Sequence, residues 1–122
     1  MTKQGKIRIV RFPVDSDPFV VEIDNTLEAL QGQVEGLIEP VALGRGLSLV
    51  LNEEALLIGM EPNRALVDRN GKARVTIAGP FFVTVDDETD DEGNFRSLTD
   101  EEIARVMRMA TRHPKAIMFE VA

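Results

Sequence analysis

The chain has 122 residues, 43% of them hydrophobic, which is enough to bury one core, so we predict a single domain over residues 1–122. Its 14 Lys and Arg residues and 21 Asp and Glu residues give a net charge of -7, which disfavours broad binding to nucleic acid or anionic membranes. The absence of cysteine excludes disulfides and thiolate sites and favours a cytoplasmic location. The sequence also predicts neither a signal peptide nor a membrane span.

Apolar and polar residues alternate with period two through much of the first half of the chain. This alternation predicts β-strands at 6–12, 19–23, 37–43 and 47–51. A helix is predicted over about 26–36, with Asn25 as its N-cap, Glu28 completing a capping box and Gly36 near its end. The glycine-rich segment 44–46 predicts a turn between the last two strands.

The pattern is weaker in the middle of the chain. We predict that residues 53–58 extend a hairpin and that Pro62 opens one helical turn over 62–66. Alternation resumes before and after Gly79 and Pro80. Because Pro cannot donate a hydrogen bond and Gly relaxes the backbone, this pair predicts either one bent strand or two abutting strands.

The clearest local signal lies near the end of the sequence. Thr99 and Glu102 have the spacing of a capping box, which predicts a second helix over about 99–112 that ends before Pro114. The predicted buried stripe of this helix comprises Ile103, Val106, Met107 and Ala110. An edge strand is expected at 116–121. Together the elements predict an α+β fold with a mainly antiparallel sheet packed against two helices.

The sequence offers few groups for catalysis or transition-metal binding. His113 is the single histidine, and its position beside Pro114 favours a capping or solvated side chain over a catalytic base. One histidine without cysteine cannot supply an imidazole or thiolate metal site. We therefore predict no catalytic residue, no metal ligand and no cofactor.

The acidic run at 86–92 concentrates oxygen ligands, so calcium binding is one interpretation. An EF-hand loop needs Gly at its sixth position, and a loop starting at Asp87 places Glu92 there. A solvated hairpin tip that repels other chains is the favoured interpretation. Calcium binding is left open.

Three residues are candidates for binding a ligand or partner: Arg45, Asn63 and Arg64. Arg45 lies between two glycines, where an arginine can approach a phosphate, although the segment lacks the spacing of known phosphate loops. Asn63 and Arg64 are adjacent multi-donor side chains. They are suited either to fixing the backbone of an irregular loop, which is favoured, or to binding an anion.

Several segments carry a resemblance to a known family. They are residues 22–31, 52–54, 59–65, Gly79 with 82–83, and 93–102. In these segments the chain resembles DUF3846, a domain of unknown function found in small proteins of bacteriophages, plasmids and other mobile elements. The resemblance implies that provenance and leaves the mechanism open.

The resemblance, the small size, the acidic charge and the lack of catalytic groups favour a non-enzymatic accessory protein that binds a host protein, for host modulation or anti-defence, in the host cytoplasm. The alternative is a small-ligand-binding protein that sequesters an anionic metabolite or nucleotide through Arg45, Arg64 and loop amides. A pocket containing Arg64 would favour this alternative. An enzyme that uses two carboxyls converging in a cleft is the third hypothesis. Self-association is left open.

Overall fold

The computed structural model describes residues 5–68, 70–86, 95–111 and 116–118. The strands in these residues are β1 (Lys6–Phe12), β2 (Phe19–Asp24), β3 (Ile38–Gly44), β4 (Leu47–Asn52), β5 (Pro62–Val67), β6 (Ala73–Ala78), β7 (Phe81–Asp86), β8 (Phe95–Arg96) and β9 (Ala116–Met118). The helices are α1 (Leu27–Val34) and α2 (Asp100–Thr111). Neither helix is long and apolar enough to cross a membrane.

The strands form two sheets. The larger sheet has the order β2-β1-β7-β4-β3, and β8 pairs with the end of β7; the smaller sheet has the order β6-β5-β9. All pairs are antiparallel except β5 with β9, which is parallel. The α+β fold with a mainly antiparallel sheet and two helices is thereby confirmed.

Strand β7 lies at the centre of the larger sheet and is buried on both faces. Phe81, Val83 and Val85 face a core shared with the smaller sheet and α2, whereas Phe82 faces a second core that includes residues of α1. This two-sided burial explains why the sequence of β7 is an almost continuous apolar run. Phe81 also stacks on Phe12 of β1, with ring centroids 4.7 Å apart.

Helix α1 begins one residue later than the sequence predicted. Thr26, rather than Asn25, is the N-cap, and its Oγ1 accepts a hydrogen bond from the Ala29 amide at 3.1 Å. Asn25 instead donates its backbone N–H to the Gly5 carbonyl at 2.9 Å, which extends the pairing of β1 with β2. The neighbouring strand therefore determines where the helix starts.

The end of α1 is fixed by a buried side chain from β4. The helix ends at Val34, and its C-cap Glu35, just before the predicted Gly36, has a left-handed backbone with φ of 63°. Asn52 donates from Nδ2 to the carbonyls of Val34 and Glu35 at 3.1 and 3.3 Å. A Cβ at Gly36 would lie 2.6 Å from this same Nδ2, so the close approach of Asn52 requires glycine there.

Helix α2 has the predicted capping box. The Glu102 amide donates to Thr99 Oγ1 at 3.1 Å, and the Thr99 amide donates to Glu102 Oε1 at 2.9 Å. The buried stripe is wider than predicted, because Met109 is buried as well, while Ile103 and Met107 are partly buried. Pro114 lies outside the described residues.

Two predictions for the middle of the chain are wrong. Residues 53–58 do not extend a hairpin; they form a compact turn in which the Ile58 amide donates to the Glu54 carbonyl at 3.0 Å. Residues 62–66 form no helical turn, because they belong to β5, which pairs with strands on both sides. Proline is tolerated there as the first residue of the strand.

The Gly79–Pro80 interruption separates two strands that belong to different sheets, β6 and β7. Gly79 has φ of +76°, a left-handed conformation that glycine adopts without strain. The predicted edge strand near the end of the chain is present as β9. Residues 119–121 of that prediction, the acidic run after Asp86 and His113 lie outside the described residues.

Candidate functional site

The structure places Asn63 inside the core at the start of β5. Its side chain is 5% exposed, and Nδ2 donates to the carbonyls of Phe12 and Gly79, both at 2.9 Å. Its Oδ1 accepts a hydrogen bond from Arg64 Nη1 at 2.6 Å. One amide thus joins the end of β1 to the bend between the two sheets.

Arg64 is also buried, at 7% exposure. Nη1 donates to the Pro13 carbonyl and Nη2 to the Ser16 carbonyl, each at 3.1 Å, and the guanidinium lies 5.1 Å from the centre of the Phe12 ring. Burial lowers the pKa of Arg64, and the nearby Asp17 carboxylate opposes this effect. These contacts fix the connection between β1 and β2. Binding of a ligand or partner by Asn63 and Arg64 stays a prediction.

Arg45 lies at the opposite end of β7 from Arg64. It occupies the turn between β3 and β4 with φ of 56°, and the next residue, Gly46, accepts a hydrogen bond from the Asp86 amide. Arg64 instead lies beside Phe12, which pairs with Phe81 at the start of β7. The length of β7 separates these ends by about 17 Å. The structure therefore does not bring Arg45 and Arg64 together.

A different feature offers a binding site: an open groove of about 420 Å³ bounded by β3, β4, β6 and the 53–57 segment, here called the β3–β6 groove. Its lining is mainly apolar and includes Val41, Leu51, Ala55, Leu66, Val75 and Ile77. This volume is within the range of about 300–1,000 Å³ that is usual for binding pockets.

The groove lies between the face of one sheet and the edge of the other. From β3 only the alternate residues Glu39 and Val41 line it, and side chains two residues apart point to the same face of a strand. From β6 the consecutive residues 75–78 all line it, although their side chains alternate between faces. The groove therefore runs along β6, which is an edge strand within the described residues, and reaches Leu66 of β5.

The turn beside the groove presents three consecutive exposed apolar side chains. Leu56, Leu57 and Ile58, here called the apolar triplet, are 71%, 86% and 61% exposed. Their backbone is held in place: the Glu54 amide donates to Asn52 Oδ1 at 2.7 Å and the Met60 amide to the Ala55 carbonyl at 3.0 Å. The triplet is thus displayed by an ordered turn.

Among the described residues, the charged side chains that line the groove are acidic. Glu39 and Glu53 line it, and both are exposed. A second, smaller cavity of about 230 Å³ lies at the start of α1 and is lined by neutral residues. Neither cavity contains Arg45 or Arg64 in its lining. Within the described residues, no three carboxylate or imidazole side chains come together to hold a metal ion.

Sequence reasoning missed this groove, although one signal for it was present. The segment Ala55-Leu56-Leu57-Ile58 is an apolar run between the acidic pair Glu53-Glu54 and Gly59. Periodicity alone does not show whether an apolar run of four residues is a strand or an exposed turn. The other walls come from distant parts of the chain, so no local pattern shows that they meet.

The fold and the groove define a small α+β domain that presents an apolar cleft at the margin between two sheets. The chain belongs to the family described as Domain of unknown function (DUF3846), whose model matches residues 7–111. This match confirms the resemblance seen in the sequence. No curated protein and no solved structure matches the chain.

Proposed function

We propose that this chain is a non-enzymatic accessory protein of a phage or other mobile element, which acts in the host cytoplasm by binding a host protein. The observation that carries this proposal is the apolar triplet displayed beside the β3–β6 groove. Contiguous exposed apolar surface on a small domain is characteristic of interaction sites.

The energetics of the triplet support binding. Full burial of one Leu or Ile side chain stabilises a complex or a fold by about 1.5–3 kcal/mol. The three side chains leave this free energy unused, because the hydrogen bonds of the turn hold them outside the core. A partner surface that covers Leu56, Leu57 and Ile58 would gain it.

The alternatives receive less support from the same geometry. An anionic metabolite or nucleotide would meet Glu39 and Glu53 in the groove, and Arg64 lines neither of the two cavities described above. A catalytic carboxyl pair depends on surroundings that set the protonation state of each group. Glu39 and Glu53 are both exposed to solvent at the rim of the groove.

The proposal is tested by affinity capture from a bacterial host lysate with three forms of the protein. They are the natural chain, a groove variant carrying Leu56→Asp and Leu57→Asp, and a control variant carrying Phe19→Asp and Val20→Asp. The control residues are also exposed, at 42% and 41%, but lie on β2 at the opposite edge of the larger sheet. All four substituted positions are exposed, so both variants should fold.

We expect the natural chain and the control variant to retain the same host protein, quantified by mass spectrometry. The groove variant should retain at least about tenfold less, which corresponds to a loss of about 1.4 kcal/mol of binding free energy. Equal retention by the groove variant, or equal loss from the control variant, would contradict the proposal.

A further inference from the structure

We infer that the occupant of the β3–β6 groove is an extended segment of the partner protein that pairs with the open edge of β6 as an added strand. This inference rests on the proposed function and specifies the chemistry of the partner. It predicts a segment that alternates apolar residues with polar ones and carries Lys or Arg beside the groove.

Within the described residues, the edge of β6 is only partly protected against strand pairing. Natural edge strands are shielded by Pro, by charged residues or by bulges. Strand β3, the edge that faces the same groove, has Pro40 in its middle and a register irregularity between Ala42 and Gly44. Strand β6 contains Arg74, and its pairing with β5 has a register irregularity on each side of Val75–Ile77; within that three-residue stretch it has no Pro, no charged residue and a regular register.

The surroundings of this edge fit one face of an added strand. Residues 75–78 border the groove consecutively, so the strand would run for about 10 Å beside them. Every second side chain would then point toward Val41 and Leu51, which are only partly buried. Leu56 and Leu57 of the apolar triplet also line the groove and can cover further apolar side chains of the partner.

The negative charge of the groove favours basic residues beside the apolar positions of the partner segment. Glu39 and Glu53 line the groove, so Lys or Arg beside the apolar positions would complement them and speed association. A second copy of this chain would bring the same glutamates and another net charge of -7 to the contact. Like charges therefore favour a basic partner over self-pairing.

Two probe peptides test the strand geometry. The first is a capped nonapeptide in which Val alternates with Lys and Thr, and the second has the same composition with Val at helical spacing. Affinity is measured by fluorescence anisotropy, and amide hydrogen exchange of β6 is measured by NMR. We expect the alternating peptide to bind at least about tenfold more tightly and to slow exchange at β6, because main-chain hydrogen bonds form there.

Variants separate the contributions of the edge and the charges. Val75→Lys should weaken binding of the alternating peptide by about tenfold. The double variant Glu39→Gln with Glu53→Gln should weaken it by a few fold. Val20→Lys on β2 is the control and should leave the affinity unchanged. Equal affinity for both peptides, binding without protection of β6, or binding of neither peptide would overturn the inference. A dimer that Val75→Lys dissociates would also overturn it, by showing that a second copy occupies the edge.

The two proposals fail separately. If groove substitutions abolish capture of the host protein but the alternating peptide leaves β6 amides unprotected, partner binding stands and strand addition is wrong. If the alternating peptide protects β6 but groove substitutions leave capture unchanged, the captured protein binds elsewhere and the proposed function is wrong.

Discussion

At the scale of single residues, two buried asparagines connect parts of the chain that are far apart in sequence. Asn52 joins β4 to the end of α1, and Asn63 joins β5 to the end of β1 and to Gly79. Buried amides are stable only when their hydrogen bonds are made. These residues therefore fix positions of the backbone that apolar packing alone would leave less defined.

Arg64→Ala should destabilise the fold by about 1–3 kcal/mol, because the Pro13 and Ser16 carbonyls and Asn63 Oδ1 lose their donor. Arg64→Met should also destabilise it, although it keeps an apolar stem over Phe12. The free energy of unfolding is measured by urea titration. Unchanged stability combined with lost capture of the host protein would instead identify Arg64 as a contact residue.

Two glycine substitutions should have opposite effects on stability. Gly79→Ala places a Cβ 2.7 Å from Met60 Sδ at φ of +76° and should cost about 1–3 kcal/mol. Gly32→Ala lies on an exposed face of α1 with nothing within 4 Å and should stabilise the protein by about 0.5–1 kcal/mol. Thermal unfolding of both variants checks this pair. A stabilised Gly79 variant would contradict the described bend.

At the scale of elements, the sequence correctly predicted structure that depends on interactions between neighbouring residues. The capping box of α2 was visible in the sequence because Thr99 and Glu102 each bond to the other's backbone amide only three residues away. Residues 53–58 and 62–66 were predicted incorrectly because distant strands determine their structure. Strand β5 forms because β6 and β9 pair with it on either side, and this pairing overrides the local preference that Pro62 suggests.

Thr99→Ala should lower the free energy of unfolding by about 1 kcal/mol, the usual cost of removing an N-cap. The loss arises because the Glu102 amide at the start of α2 loses its acceptor. Thr99→Ser keeps the acceptor oxygen and is the matched control. If urea titration gives the same stability for the Ala and Ser variants, Thr99 is not the effective cap.

Glu102 should contribute stability that depends on pH. The Arg96 guanidinium, which bonds both carboxylate oxygens at 3.0 Å, lowers the pKa of Glu102 below the ordinary 4.5; burial opposes this effect and the Thr99 amide adds to it. A carboxyl whose pKa is lowered by folding stabilises the fold at pH values above the pKa that it has in the unfolded chain. This contribution to stability is lost as the pH falls through the pKa that it has in the folded protein.

The difference in unfolding free energy between the natural chain and Glu102→Gln should therefore shrink between about pH 6 and about pH 3. Urea titrations across this range measure it. Glu101→Gln, which removes a carboxylate at an exposed position in the same turn of α2, is the control for the change of charge alone. A constant difference for Glu102→Gln would show that its ion pair with Arg96 does not stabilise the fold.

At the scale of the whole molecule, the candidate site depends on how the two sheets meet. Its walls come from β3, β4, β5, β6 and the turn after β4, and within the described residues the smaller sheet leaves the β3 margin of the larger sheet uncovered. The sequence predicted the fold class, but the predicted strands were assigned to one sheet. The uncovered margin at β3 exists only because there are two sheets, so it could not be located from the sequence. Asn63 and Arg64 stood out as donors, whereas the groove depends on side chains that resemble ordinary core residues.

Site-specific photo-crosslinking tests the central claim, that this groove binds a protein partner. Benzoyl-phenylalanine is placed at position 57, where the natural Leu57 is 86% exposed, and in a control at position 19, where Phe19 is 42% exposed. After irradiation in host lysate, position 57 should crosslink to one host protein, at a segment rich in apolar and basic residues, and position 19 should not. Absence of a crosslink from position 57, or the same crosslink from both positions, would contradict the claim.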